Sequence, residues 1–218
     1  MNTIPNEAVI NAAIEVIDRE SKAVADVATQ IDETFVRAAS LLMSCTGKVI
    51  VAGVGTSGFV ARRAAHLFAV SGTPSLFLHP TEGQHGSVGA LRTDDILIVL
   101  SKGGSSSEVN SLASLASQQG SVVVAMTSNA HSELAAIADH TVVLRPDNVA
   151  DPGGLIAMGS TLAYSAWLDA MAAVLMRAKN YGWDRVLFTH PGGAVGQTRE
   201  LPAPLPSLTI PALDSTGA

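Results

Sequence analysis

Apolar side chains in the first 43 residues recur at intervals of three and four. The pattern begins near Asn6 and continues to Met43, with Val9, Ile14 and Phe35 among its members. This spacing places the apolar side chains on one face of a helix. We therefore predict an N-terminal arm, residues 1–45, formed by a helix pair whose apolar face packs partly on another subunit.

The pattern changes over residues 46–198. Stretches of helical periodicity alternate there with five short runs rich in β-branched residues, which are KVIVAGV, SLFLH, DILIVLS, SVVVAMT and HTVVLRP. Continuous apolar strands that alternate with helices indicate a parallel sheet covered on both faces. The predicted class is α/β, a three-layer, doubly wound parallel sheet flanked by helices.

A long helix is predicted over about residues 160–179, followed by the turn NYGWD and the segment LFTHPGGAVGQT. The last segment, residues 199–218, contains four prolines and mixes polar with apolar side chains. That composition predicts an extended or disordered tail.

Composition narrows the classes of function. Apolar residues make up 47% of the chain and charged residues 15%, which favours one compact domain with ample core. A net charge of -6, with few and scattered basic residues, argues against a nucleic-acid partner. Cys45 is the one cysteine, which suits a reducing compartment. The apolar runs are too short or too charged for a signal peptide or a membrane span. We expect a cytoplasmic protein with no membrane partner.

Loops after the first three predicted strands carry the candidate chemistry, because ligands bind at the carboxyl ends of the strands in an open parallel sheet. These loops read GVGTSG, HPTEGQHGSVG and SKGGSSSE. Gly53, Gly55 and Gly58 form the G-x-G-x-x-G pattern of dinucleotide sites. The second strand, however, ends in His79 and Pro80 instead of the acid that would bind a ribose. The dinucleotide interpretation is therefore disfavoured.

Short hydroxyl side chains next to helix starts favour a single phosphate instead. Backbone N–H groups, the helix dipole and hydroxyls together suit such an anion. An alternative is that Ser105 or Ser106 caps the helix, with Glu108 completing a capping box. Lys102 is either a counter-charge for the phosphate or a solvated side chain. The predicted phosphate-binding residues are Gly55, Thr56, Ser57, Ser101, Lys102, Ser105 and Ser106.

These loops, together with HPGGAVG near the end, resemble the sugar isomerase (SIS) domain of the arabinose-5-phosphate isomerases over roughly residues 10–198. The resemblance implies a flavodoxin-like fold and aldose–ketose isomerisation of a sugar phosphate through an enediol, without a metal or redox cofactor. It also implies a homotetramer whose sites are completed by neighbouring subunits. Most members continue into a pair of cystathionine-synthase-type modules, and only the catalytic-type domain is expected here.

The resemblance also implies the catalytic residues. His85 in GQHG, His190 in THPGG and Glu82 match residues of the family's site. Histidine titrates near neutral pH, so either imidazole can act as acid and base, and which residue is the base stays open. Asp151 either approaches a sugar hydroxyl or caps the turn into the long helix, and we favour the cap. Structural roles are expected for the histidines that lack a motif, His66, His131 and His140.

The sequence departs from the family at several site positions. The family has a lysine at Thr56, an asparagine at Lys102, a serine at Gly103 and glutamates at Ser105 and near Val149. In one interpretation Lys102 restores the lost positive charge and a related substrate is isomerised. In the other, the site binds a sugar phosphate without turning it over. The retained histidines and glutamate favour the first interpretation.

Overall fold

The computed structural model describes residues 6–213. Helices α1 (Asn6–Ala25) and α2 (Glu33–Ser44) are joined by a 3-10 turn, Asp26–Gln30. The Asp32 carboxylate starts α2 by accepting a hydrogen bond from the Thr34 N–H at 2.9 Å. Two helices are thus present where the apolar spacing predicts them. Packing of this arm on another subunit stays a prediction, and the α1 side chains open to solvent in one chain include Val9, Ile10, Ile14 and Ile17.

A five-stranded parallel sheet forms the centre of the molecule. Its strands are β1 (Val49–Gly53), β2 (Ser75–Leu78), β3 (Ile96–Leu100), β4 (Val122–Thr127) and β5 (His140–Val143). They lie in the order β2-β1-β3-β4-β5, and every neighbouring pair is parallel. This is the flavodoxin-like order. The parallel sheet predicted from the five apolar runs is confirmed.

Among the residues that the structure describes, six further helices complete the three layers. They are α3 (Gly55–Val70), α4 (Pro80–Gln84), α5 (Ser107–Gln118), α6 (Glu133–Ile137), α7 (Gly159–Ala178) and α8 (Trp183–Phe188). Val49 and Val51 point towards α2, α3 and α7, whereas Ile50 and Ala52 point towards α5 and α6. Successive strand residues therefore serve two separate cores, as the three-layer prediction requires. Within residues 6–213, every helix is too short or too polar to span a membrane.

An ion pair closes the amino edge of the sheet. Lys48 directly precedes β1 and Asp95 directly precedes β3, and Lys48 Nζ lies 2.7 Å from Asp95 Oδ2. The Asp95 side chain is 1% exposed and also accepts hydrogen bonds from the Lys48 and Arg92 backbone N–H groups at 2.8 and 2.9 Å. This pair fixes the starts of two central strands.

Residues 201–211, here called the C-terminal strap, form neither helix nor strand and lie on α2, α7 and α8. Arg177 Nε donates to the Pro206 carbonyl at 2.8 Å, and Trp183 Nε1 donates to the Ala203 carbonyl at 3.0 Å. Ile210 packs against the main hydrophobic core. The described part of the predicted tail is thus irregular in backbone and docked on the domain.

Candidate functional site

The glycine loop connects β1 to α3 in a turn so tight that its backbone leaves no room for a side chain at Gly53 or Gly58. A Cβ atom on Gly58 would lie 2.8 Å from the Gly53 carbonyl oxygen, and one on Gly53 would lie 2.9 Å from the Ser57 carbonyl oxygen. Gly55 has a φ of 55°, in the left-handed region that favours glycine. The three glycines therefore have steric reasons that require no dinucleotide. Thr56 is exposed and Ser57 is half-buried at the start of α3.

The serine loop connects β3 to α5 and is braced from within. Ser101 is buried; its hydroxyl accepts a hydrogen bond from the Gly104 N–H at 3.2 Å and lies 3.3 Å from the Ser106 hydroxyl. Ser106 occupies the N-cap position of α5, yet its side chain makes no capping hydrogen bond in the described chain. Glu108 instead accepts from the Ser107 hydroxyl at 3.2 Å. The capping box weighed as an alternative is therefore not formed.

Lys102 is half-buried and ion-paired. Its Nζ lies 2.8 Å from Asp151 Oδ2, and Asp151 Oδ1 accepts hydrogen bonds from the Met158 and Ser160 N–H groups at 2.8 and 3.0 Å. Burial raises the pKa of Asp151, but the hydrogen bonds from Lys102, Ser160 and Met158 outweigh it and lower this pKa to about 2. The expected cap at the entrance to α7 is present. The ion pair to the serine loop was not predicted.

Lys102 extends towards the face of the sheet that α3 and α7 cover. Together with Ser57, Ser160 and Tyr164 it lines a small hollow between the starts of these two helices. The Tyr164 hydroxyl lies 3.0 Å from the Ser128 hydroxyl, and burial raises the pKa of Tyr164 to about 12. The sequence did not predict Ser160 and Tyr164 as lining residues of this hollow, because they lie within an apolar helix whose pattern indicates only packing.

Glu82 and His85 lie at the same carboxyl edge, on and just after the short helix α4. The His79 imidazole starts this helix by accepting a hydrogen bond from the Thr81 N–H at 3.3 Å. Both the Glu82 and the His85 side chains are exposed, and within residues 6–213 the His85 imidazole has no hydrogen-bonding partner. The α4 helix packs beside α5, so His85 and the serine loop belong to one region.

His190 lies at the other end of the molecule. Helix α7 begins beside Asp151 and Lys102, and its 20 residues extend about 30 Å. At its far end Lys179 Nζ donates to the Thr73 hydroxyl at 2.8 Å, and Thr73 stands just before β2 at the amino edge. Helix α8 and His190 follow there. One chain therefore does not bring His190 to His85.

One nitrogen of the His190 ring is held by the preceding helix. Its Nδ1 lies 2.6 Å from the Val186 carbonyl oxygen, which can only accept, so Nδ1 donates this hydrogen bond. In sum, one chain brings together at the carboxyl edge all the predicted residues except His190. Among residues 6–213, no group of three or more His, Cys, Asp or Glu side chains is placed to hold a metal ion.

Comparison with known proteins identifies the family. A model of the SIS domain matches residues 42–175. The chain belongs to the SIS domain family. Arabinose 5-phosphate isomerase KdsD of Pseudomonas aeruginosa is 36% identical to it over 90% of this chain and 60% of its own length. KdsD of Escherichia coli K12 is 34% identical over 85% of this chain and 57% of its own length. The chain spans about 60% of the length of these curated relatives.

Two solved structures match this chain over the whole of their own length. A protein of E. coli CFT073 in complex with A5P superimposes with a TM-score of 0.83, at 32% identity, over 86% of this chain and 100% of its own. A Listeria monocytogenes protein gives a TM-score of 0.84, also at 32% identity, over 87% of this chain and 100% of its own. The predicted SIS resemblance is thereby confirmed.

Proposed function

We propose that this SIS protein binds a sugar phosphate at the carboxyl edge of its sheet and interconverts aldose and ketose forms through an enediol. The observation that carries the proposal is the pairing of the serine loop with the glycine loop, each at the start of a long helix, beside His85. Arabinose 5-phosphate is the first candidate substrate, because the KdsD relatives are arabinose 5-phosphate isomerases.

The phosphate is assigned to the start of α5. The first N–H groups of a helix have no intrahelical acceptor and carry partial positive charge, which favours an anion. The Ser105 and Ser107 side chains are exposed there, and Ser106 is half-buried and free of a capping role. A phosphate in this position takes hydroxyl and backbone donors together.

Proton transfer is assigned to His85, with Glu82 beside it. A base removes the C2 proton of the aldose while the carbonyl oxygen at C1 gains a proton, which gives the enediol. The O2 proton then leaves as C1 is protonated, and the ketose results. The exposed His85 imidazole suits this transfer, because an imidazole takes up and releases protons near neutral pH.

His190 would come from a neighbouring subunit. Because His190 lies at the amino edge of its own chain, away from His85, it can meet the substrate only at a site that a second copy provides. We therefore include a homotetramer, located in the cytoplasm, in the proposal. The exposed apolar face of α1 supports contact between copies.

Proton exchange in deuterated water tests the proposal. The full chain is incubated with tetrose, pentose and hexose phosphates, and label at C2 is followed by NMR. We expect label and interconversion with at least one sugar, loss of both in His85→Ala and His190→Ala, and retention in the control His131→Ala. Mixing the two inactive variants should restore activity if a site combines two subunits. Light scattering that shows a monomer would contradict the shared site.

A second candidate function is phosphosugar binding without turnover. It is favoured by the separation of His85 from His190 in one chain and by the engagement of Asp151 with Lys102. Binding by calorimetry with no label in any sugar would establish this alternative.

A further inference from the structure

The Lys102–Asp151 pair is immobilised at both ends. The Asp151 side chain is 1% exposed and is held by two backbone N–H groups besides the ammonium. The Lys102 carbonyl in turn accepts from the Ser128 N–H at 2.9 Å and from the Thr127 hydroxyl at 3.1 Å. The ammonium is therefore fixed in position although the lysine side chain is 32% exposed.

The direction of Lys102 separates it from the phosphate assigned to α5. Ser105 and Ser107 line a groove on the side of α4 and α5. Lys102 lines the hollow on the side of α3 and α7, together with Ser57 and Thr161. An ammonium has three N–H donors, and one of them is used by Asp151. The hollow itself, about 20 Å³, has room for about one water molecule, so the other donors can meet oxygen atoms of a ligand only at its open margin, where the Lys102 side chain is 32% exposed.

We propose that Asp151 is a positioning residue that aims Lys102 at the sugar end of the ligand, so that the pair selects the sugar and leaves the phosphate to the serine loop. The proposal rests on the phosphosugar binding proposed above. Without the carboxylate, Lys102 is a flexible cation that any anion attracts. When Asp151 is paired with Lys102, much of the lysine charge is neutralised and the Lys102 N–H groups keep a fixed direction.

Calorimetry with two probes tests this role. Inorganic phosphate and arabinose 5-phosphate are titrated into the full-length wild type and Asp151→Asn. The amide retains an acceptor for the Met158 and Ser160 N–H groups and removes the ion pair. We expect arabinose 5-phosphate to bind roughly ten- to hundredfold more weakly, the value of a hydrogen bond to a charged group, and inorganic phosphate to bind as tightly as in the wild type or more tightly, because the released ammonium attracts it.

The chain offers a matched control, because Asp95→Asn removes an ion pair of nearly the same geometry at the amino edge. Neither affinity should change in that variant. The double variant Lys102→Met/Asp151→Asn removes both charges and should show the same loss of selectivity if the single variant folds poorly.

Several results would overturn the proposal. One is an Asp151→Asn variant in which the ratio of the arabinose 5-phosphate affinity to the inorganic phosphate affinity is the same as in the wild type, whether or not both affinities fall. Another is a wild type that binds arabinose 5-phosphate no more tightly than inorganic phosphate. A wild type that binds the sugar selectively without exchanging C2 label would refute the isomerase and retain the role of Asp151.

Discussion

The two ion pairs at opposite edges of the sheet have almost the same geometry and burial. Lys48–Asp95 spans 2.7 Å and Lys102–Asp151 spans 2.8 Å, each carboxylate is 1% exposed, and each accepts two backbone N–H groups. What differs is the surroundings. Asp95 binds the residues that start β1 and β3, whereas Asp151 joins the serine loop, where we propose that phosphate binds, to the entrance of α7. The comparison teaches that pair geometry alone does not distinguish a structural pair from one proposed to select a ligand.

The largest expected effect comes from Asp95→Ala. It leaves the Lys48 ammonium and two backbone N–H groups without their acceptor, so the free energy of unfolding should fall by about 3 kcal/mol. Urea denaturation measures this loss, and sugar-phosphate affinity should persist below the transition. Asp151→Ala should lose similar stability and sugar affinity as well. A sugar affinity that falls equally in both variants would break the distinction between the edges.

Two glycines allow each pair to be disturbed through the backbone. A Cβ on Gly47 would lie 2.3 Å from Asp95 Oδ1, and one on Gly159 would lie 2.2 Å from Ala150 Cβ, next to Asp151. Each alanine substitution should cost about 2 kcal/mol of unfolding free energy, because the neighbours must shift. Only Gly159→Ala should weaken arabinose 5-phosphate binding. Calorimetry that finds the same affinity in both variants would contradict this.

Stability measured at low pH should show how much the Asp151 carboxylate contributes to the free energy of unfolding. Its folded pKa of about 2 lies below its ordinary value of 3.8, so its stabilisation is fully present above about pH 4 and is lost as the pH falls towards 2. The shift corresponds to about 2 kcal/mol. Urea midpoints measured across this range should fall more steeply for the wild type than for Asp151→Asn. Parallel curves would show that the pair adds no acid sensitivity. Asp95, whose pKa is also lowered, contributes to the slope that remains.

The smallest effects are expected from exchanging lysine for arginine. Lys48→Arg keeps the charge beside Asp95 and should change the free energy of unfolding by less than about 1 kcal/mol. Lys102→Arg should change the free energy of unfolding equally little, yet weaken the binding of arabinose 5-phosphate by a few-fold. The planar guanidinium of arginine does not point its N–H groups in the directions that the lysine ammonium does. Denaturation and calorimetry on both variants sharpen the contrast. A loss of sugar affinity in Lys48→Arg would be unexpected.

Much of the fold could be predicted from the sequence because the central strands are almost entirely apolar runs, such as Ile96–Leu100, which lies between Asp95 and Ser101. The loops that follow these strands must then share one edge. Helix α8 was missed, since six residues give too little periodicity. The strap was predicted only as extended or disordered. Its docking depends on hydrogen bonds from Arg177 and Trp183, and nothing in the sequence around these two residues shows that they bind the strap.

The site was less predictable than the fold. Asp151 reads as a turn cap, and its partner Lys102 is 49 residues away, so that only the tertiary structure joins them. His190 follows a helix that leads away from the carboxyl edge, and sequence cannot assign such a residue to one copy or another. The hydroxyls at the start of α5 were predictable, because their position depends only on a strand, a turn and a helix start.

The C-terminal strap has a consequence for the cohesion of the helices outside the sheet. Proline has a fixed φ, so a segment with four prolines loses less backbone entropy on docking than a flexible tail does. Three hydrogen bonds and the partly buried Ile210 can therefore hold it. Within residues 6–213, helices α2, α7 and α8 are not joined by sheet hydrogen bonds, and the strap contacts all three as a stiff external brace.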